Sequence, residues 1–277
     1  MAYQAFDVTV SNHIAHLQLK RPEQFNSMIP AFWSEILTIF DALAADPAVR
    51  VAVLSSTGKH FTAGMDLAVF ANLAPAVEEE GRKREELRRK ILNLQECFSI
   101  IERMRFPVLA AIQGGCIGGG VDLVSACDMR FATRDAFFHI AEINIGMTAD
   151  VGTLQRLPKI VPEGVVREMA FTGRRLGAER AHQVGLVNQL FDSHEAMLDG
   201  VMAIAAEIAG HSPLAIAGTK EMLNYSRDHS VADGLNYIAT WNSAMLLTVD
   251  LPEAIAARSQ KRQPAFDNLS PPAAKLI

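Results

Sequence analysis

The sequence predicts an α/β protein, with a strand-and-helix core over residues 1–191 and a helical part over residues 192–277. Three observations lead there. Short apolar runs alternate with stretches of helical spacing through the first two-thirds of the chain, an order that builds mixed α/β layers. Strand signals stop near residue 190, and only helical patterns follow. The chain has 277 residues and is 49% hydrophobic, enough for a sizeable core in one large domain or one domain with an appendage.

The elements follow in order. Phe6, Val8 and Val10 alternate, and Ile14, His16, Leu17 and Leu19 come after Ser11-Asn12-His13, so two short strands joined by a turn are expected. Pro30 to Ala45 carries Phe32, Ile36, Ile39 and Leu43 on one helical stripe. Val51-Ala52-Val53-Leu54 reads as a buried strand that gives way to a loop at Ser55-Ser56-Thr57-Gly58-Lys59. Residues 72–83, with Pro75 ahead of Glu78-Glu79-Glu80-Gly81-Arg82-Lys83, are the best candidate for a mobile flap over a ligand. A long helix follows, with Leu87, Ile91, Leu94, Phe98 and Ile101 on one side. Pro107 opens the strand Val108–Ile112, and a glycine run from Gly114 to Gly120 leads into an apolar helix. Asp192-Ser193-His194-Glu195 resembles a capping box before a helix striped with Met197, Val201, Ile204 and Ile208. Ser212-Pro213 and Asp250-Leu251-Pro252-Glu253 open two more helices.

Composition removes several function classes. The net charge is −5, where a nucleic-acid binder usually carries a basic excess. No apolar run reaches the roughly 18 residues that suggest a membrane span. The first residues lack the basic start and apolar run of a secretory signal, and the last are not Ser-Lys-Leu, so a cytoplasmic placement is expected. Cys97, Cys116 and Cys127 are odd in number and lie in apolar or Gly-rich surroundings, which points to a reducing compartment without disulfides. The histidines form no ligand-spaced cluster, so no metal is assigned. Gly-x-Ser-x-Gly is absent, and the Ser-x-x-Lys match at Ser56–Lys59 is short enough to be chance.

The residues that can carry chemistry are acids. A Gly-rich turn between a buried strand and a helix suits a ligand that needs backbone N–H groups, although tight helix–strand packing explains glycines equally well. Asp122 sits three residues after Gly119 among Val121, Leu123, Val124 and Ala126, where a carboxylate is costly unless used or paired. Side chains on a helix lean toward its N-terminus, so Asp122 reaches back over the glycine turn. Neutralising the helix start, or pairing with Arg130, is the alternative. Glu142 lies in the mostly apolar stretch Phe137–Ile143, where desolvation raises a carboxyl toward the range of a general base; a solvated helix-face glutamate is the alternative. Asp150 precedes Val151-Gly152-Thr153-Leu154 and also reads as an N-cap. Small residues in Phe61-Thr62-Ala63-Gly64-Met65-Asp66-Leu67 let a ligand lie against the backbone, with Asp66 a candidate cap for a short helix.

Together these residues resemble the crotonase (enoyl-CoA hydratase/isomerase) family. The resemblance runs from Arg21-Pro22 through Phe61–Leu67 to Lys261-Arg262, with Gly118-Gly119-Gly120-Val121-Asp122-Leu123 and Ala126-Cys127-Asp128-Met129-Arg130 at its centre. It implies a stack of ββα turns whose C-terminal helices serve trimerisation, as a homotrimer or a dimer of trimers. It implies an acyl-CoA thioester substrate, an oxyanion hole from the N–H groups of Met65 and Gly119, and CoA contacts at Ala63, Gly64, Asp66 and Lys261. Hydratases of the family carry two glutamates at the positions matching Asp122 and Glu142. Here the first is aspartate, and a third acid, Asp150, lies eight residues past Glu142. That set is similar to the Δ3,5-Δ2,4-dienoyl-CoA isomerases, as are Ser226–Val231 and Ala239–Asn242.

The resemblance implies isomerisation of a 3,5-dienoyl-CoA to its 2,4-isomer in fatty-acid β-oxidation. Glu142 takes a C2 proton, Asp122 delivers one at C6, and Asp150 helps keep Asp122 neutral. No cofactor is implied beyond the coenzyme A of the substrate itself. Three alternatives use the same fold: a hydratase with both acids around a water, a Δ3,Δ2-enoyl-CoA isomerase working with Glu142 alone, and a non-catalytic CoA- or RNA-binding member.

Overall fold

In the computed structural model, residues 3–66, 68–69 and 77–271 are described. Strands β1 (Phe6–Ser11) and β2 (Ile14–Leu19) form the expected hairpin, and β2 then pairs in parallel with β3 (Val51–Ser56). β4 (Val108–Ile112), β6 (Met129–Thr133) and β9 (Gln189–Phe191) extend a six-stranded sheet in the order β1-β2-β3-β4-β6-β9. A second sheet has the order β5-β7-β8, from Gly115–Ile117, Phe137–His139 and Leu176–Gly177.

The apolar runs explain which strands are central. Every residue of β3 and β4 is buried, as parallel strands covered on both faces require. One face of the large sheet carries Leu17, Leu19, Ala52, Leu54, Val108 and Ala110 into the main core, against helices α1 (Pro30–Ala45) and α2 (Glu80–Glu102). On the other face, Val51, Val53, Leu109 and Phe131 meet Met197, Val201 and Ala205 of the helix over His194–Ala209. Its cap, Ser193, accepts from Ala196 N as the sequence suggests.

Two expectations are corrected. Ser55 and Ser56 belong to β3, because the pairing with β2 continues to Leu19↔Ser56. Their buried hydroxyls are satisfied, Ser55 Oγ by His16 Nε2 at 2.7 Å and Ser56 Oγ by Gln113 Nε2 at 2.8 Å. Of the flap expected over residues 72–83, residues 72–76 lie outside the described residues. Glu80 to Lys83 form the first turn of α2, capped by the Glu79 carboxylate on Gly81 N and Arg82 N at 2.9 Å each.

The apolar helix expected after the glycine run is α3 (Gly119–Ser125), and a short helix, α4 (Thr153–Arg156), follows Asp150; two further helices of the core, α5 (Glu163–Thr172) and α6 (Ala178–Gln183), had not been read from the sequence. After α7 (His194–Ala209) come α8 (Pro213–Asp228), α9 (Val231–Met245) and α10 (Asp250–Gln260). α9 has its own cap, Ser230 accepting from Asp233 N. Among the described residues no single helix is long and apolar enough to cross a membrane. Cys97, Cys116 and Cys127 are free and buried, and burial pushes Cys97 and Cys127 up to about 12.

Candidate active site

Two loops meet to present backbone donors. Thr62 N donates to Gly115 O at 3.1 Å and Ile117 N to Thr62 O at 3.2 Å, so the segment after β3 lies along β5. Met28 N donates to Gly64 O and Asp66 N to Met28 O, which pairs the neighbours of Met65 but leaves its own N–H out. Gly119 is the first residue of α3, and its N–H is one of the orphans of a helix start. Neither N–H has a hydrogen-bond partner among the described residues. They are close: a Cβ placed on Gly64 would lie 3.5 Å from Gly119 N, and one on Gly119 would lie 4.0 Å from Met65 N.

The same turn receives both acids. Gly118 has φ 54 and ψ −122, a conformation open to glycine, and its N–H is tied to His139 O at 2.9 Å. Its missing side chain admits Glu142, whose Oε1 would lie 3.2 Å from a Cβ there. Glu142 opens a 3-10 turn (Glu142–Ile145) just after β7, and its buried Oε2 has no hydrogen-bond partner among the described residues. Burial, then the charges of Asp122 and Asp150, raise Glu142 from 4.5 to about 7.

Asp122 is 1% exposed within α3. It does not pair with Arg130, whose guanidinium donates instead to the carbonyls of Leu186, Val124 and Cys127. Asp122 Oδ1 accepts from Thr153 N at 2.6 Å. Burial raises Asp122 from 3.8 to about 6, the Thr153 bond opposes that, and Asp150 adds to it. Asp150, raised by burial, is half-buried at the head of this loop. It is not the cap expected for 151–154: the N-cap is Gly152, without a side-chain bond, and Asp122 serves the helix start from across the fold.

Asp122, Glu142 and Asp150 thus share one charge environment beside the Met65 and Gly119 donors. Ala63 is exposed in the same loop, its N–H donating to Phe25 O. Asp66 does cap: Oδ1 accepts from Ala68 N at 3.0 Å and Oδ2 from Ser27 Oγ at 2.8 Å, which holds its carboxyl below the usual range. Lys261 is exposed at the C-cap of α10 and makes no hydrogen bond or ion pair with the other candidates. Among the described residues no group of three or more His, Cys, Asp or Glu side chains is placed to hold a metal. Sequence reasoning missed Thr153 and Arg156; a backbone donor 31 residues from its acceptor leaves no local signature.

A family model described as enoyl-CoA hydratase/isomerase matches residues 9–269. The mitochondrial Delta(3,5)-Delta(2,4)-dienoyl-CoA isomerase of Homo sapiens is 46% identical over 266 residues, 95% of this chain and 81% of that protein. The peroxisomal protein of the same name from Arabidopsis thaliana is 43% identical over 274 residues, 97% of this chain and 99% of that protein. Among solved structures, an enoyl-CoA hydratase from Bacillus anthracis superposes with a TM-score of 0.86 at 28% identity, covering 95% of this chain and 99% of that one.

Proposed function

The chain belongs to the enoyl-CoA hydratase/isomerase family, and from that premise we propose that it converts a 3,5-dienoyl-CoA to the 2,4-dienoyl-CoA in fatty-acid β-oxidation. The fold is of the crotonase type. The observation that carries the reading is a pair of charge-disfavoured acids on one glycine turn, beside two N–H groups that have no partner among the described residues. Glu142 removes a C2 proton, and the electron pair moves onto the thioester oxygen and along the conjugated chain. The N–H groups of Met65 and Gly119 receive the oxyanion, each such donor lowering the barrier by about 3 kcal/mol. Asp122, protonated, gives its proton to C6, which leaves double bonds at C2 and C4. The chain's own groups complete the proton transfers, and we propose that no metal or redox cofactor takes part.

The two acids titrate as a pair, since burial and mutual repulsion oppose a second charge. Isomerisation uses the microstate in which Asp122 holds the shared proton and Glu142 is ionised.

Reaction choice is testable. Aspartate is one methylene shorter than glutamate, which retracts the acid by about 1.5 Å and leaves room for a conjugated chain while holding a nucleophilic water less well. The expected result is rapid isomerisation of a 3,5-dienoyl-CoA and slow hydration of a 2-enoyl-CoA by one preparation. Asp122→Glu should raise hydration relative to isomerisation even as both rates fall. Faster hydration by the unmodified protein would make it a hydratase.

Self-association through the C-terminal helices is part of the proposal. Val231 and Leu235 on α9, Leu247 and Val249 after it and Ile255 on α10 are each at least 62% exposed, apolar side chains that a second subunit would cover. A trimer or dimer of trimers is expected in sedimentation at micromolar concentration, and a monomer there would refute it. The relatives carry mitochondrial or peroxisomal designations. For this chain the proposed compartment is the cytoplasm, to be checked by fractionation of its source cells.

A further inference from the structure

The turn over Asp150–Thr153 presents the third acid and hands Thr153 N–H to Asp122, so whatever fixes this turn also aims Asp122. Three side chains on one face of α2 do so. Gln95, Ser99 and Glu102 follow each other at steps of four and three, the spacing of helical neighbours. Gln95 Nε2 donates to Asp150 O at 2.7 Å. Ser99 and Glu102 grip Arg156 from α4: Nη2 reaches Ser99 Oγ at 3.0 Å, and Nε donates to Glu102 Oε2 at 2.8 Å. The remaining nitrogen, Nη1, donates to Val151 O at 3.3 Å. The guanidinium lies against Gly152, where any Cβ would overlap it. Both partners are largely enclosed, with side-chain exposures of 11% for Arg156 and 17% for Glu102.

We propose that Arg156, held by Glu102 and Ser99, is a positioning residue that sets the turn over Asp150–Thr153 and thereby the aim of the Asp122 carboxyl. This rests on the isomerisation proposed above. The guanidinium has planar donors directed to three different acceptors, so lysine can replace its charge but not its fork. Its charge also reaches Asp122, whose other titratable neighbours are Glu142, Asp150 and the thiol of Cys116 behind it. Glu102 has a second partner, Arg227 Nη1 of α8 at 2.6 Å, whose hydrogen bonds and ion pairs go to Glu102 and Asp228 and not to the turn or to Asp122, Glu142 or Asp150.

That second pair supplies the control. Arg156→Lys, Arg156→Met and Arg227→Met are compared in the full-length protein, with Asp122→Asn alongside. Arg156→Met should lower kcat about 10- to 100-fold with KM within about twofold, as a small misplacement near the reacting atoms does. Losing the cation also raises the ionisation of Asp122, so the alkaline limb of the bell-shaped pH profile should move to higher pH. Arg156→Lys should fall between the two in kcat and keep the parent profile. Arg227→Met should lower Tm and leave kcat and profile unchanged. Amide hydrogen exchange at Thr153 reads the turn independently of turnover and should quicken in both Arg156 variants but not in Arg227→Met. Parental kcat and Thr153 protection in both Arg156 variants would overturn the inference. If the unmodified protein does not isomerise a dienoyl-CoA, the site reading fails instead, and Thr153 exchange still decides the positioning role.

Discussion

Glu142→Gln and Asp122→Asn should each reduce kcat on a 3,5-dienoyl-CoA by about 100-fold or more, while raising thermal stability at pH 8. The two effects have one cause. Both acids have folded values above their ordinary ones, Asp122 at about 6 against 3.8 and Glu142 at about 7 against 4.5. The folded state therefore favours their protonated forms. Stability from this source is fully present below about pH 4 and is lost as pH rises through 6 to 7. An amide removes the charge while an oxygen remains at position 122 to accept from Thr153 N. At 1.36 kcal/mol per unit, the relief is about 3 kcal/mol for each site at pH 8 and near zero at pH 4. For a chain of this size that is a Tm gain of about 5 °C. The pH profile of the unmodified enzyme should be bell-shaped, with its maximum between about 6 and about 7: below it Glu142 stays protonated, above it Asp122 has lost its proton. Activity assays and calorimetry at the two pH values check both halves. Parental turnover in both variants would remove the acids from the mechanism, and lower Tm at pH 8 would mean that their charges are compensated in the folded state.

Gly64→Ala should lower kcat by about 100- to 1,000-fold with a much smaller change in KM, the loss typical of one oxyanion donor. Gly64 has φ 89, and a Cβ there would come within 2.7 Å of Ile117 O and 3.5 Å of Gly119 N. The alanine must separate the two loops that hold the Met65 and Gly119 N–H groups together. Because these donors act on charge that develops during the reaction, kcat falls more than substrate affinity. Gly185→Ala is the matching control. Its φ is 86, so it has the same backbone strain, but the nearest atom to its Cβ would be Ile160 O at 4.0 Å. It should lower Tm while keeping kcat. Equal kcat losses in both variants would assign the effect to general destabilisation rather than to the donors.

Much of this was legible in the residues themselves. The period of Phe32, Ile36, Ile39 and Leu43 marks α1, and the apolar runs at Val51 and Val108 mark strands buried on both faces. Asp122 and Glu142 stand out because a carboxyl among apolar neighbours needs a reason. Caps at Ser193 and Ser212 are written within a few residues of the turns they close. All of these are local signals, carried by spacing along a single segment. What the tertiary structure alone decided is long-range. Thr153 N meets Asp122 across 31 residues, and it displaces the expectation that Asp150 caps its own helix. Glu142 settles on Gly118, Met65 N–H comes beside Gly119 N–H, and Arg156 reaches back to Glu102 across 54 residues. Side-chain period records which face of an element turns inward. It does not record which other element will be there, because that depends on how the parallel strands order and how the connecting loops close around them.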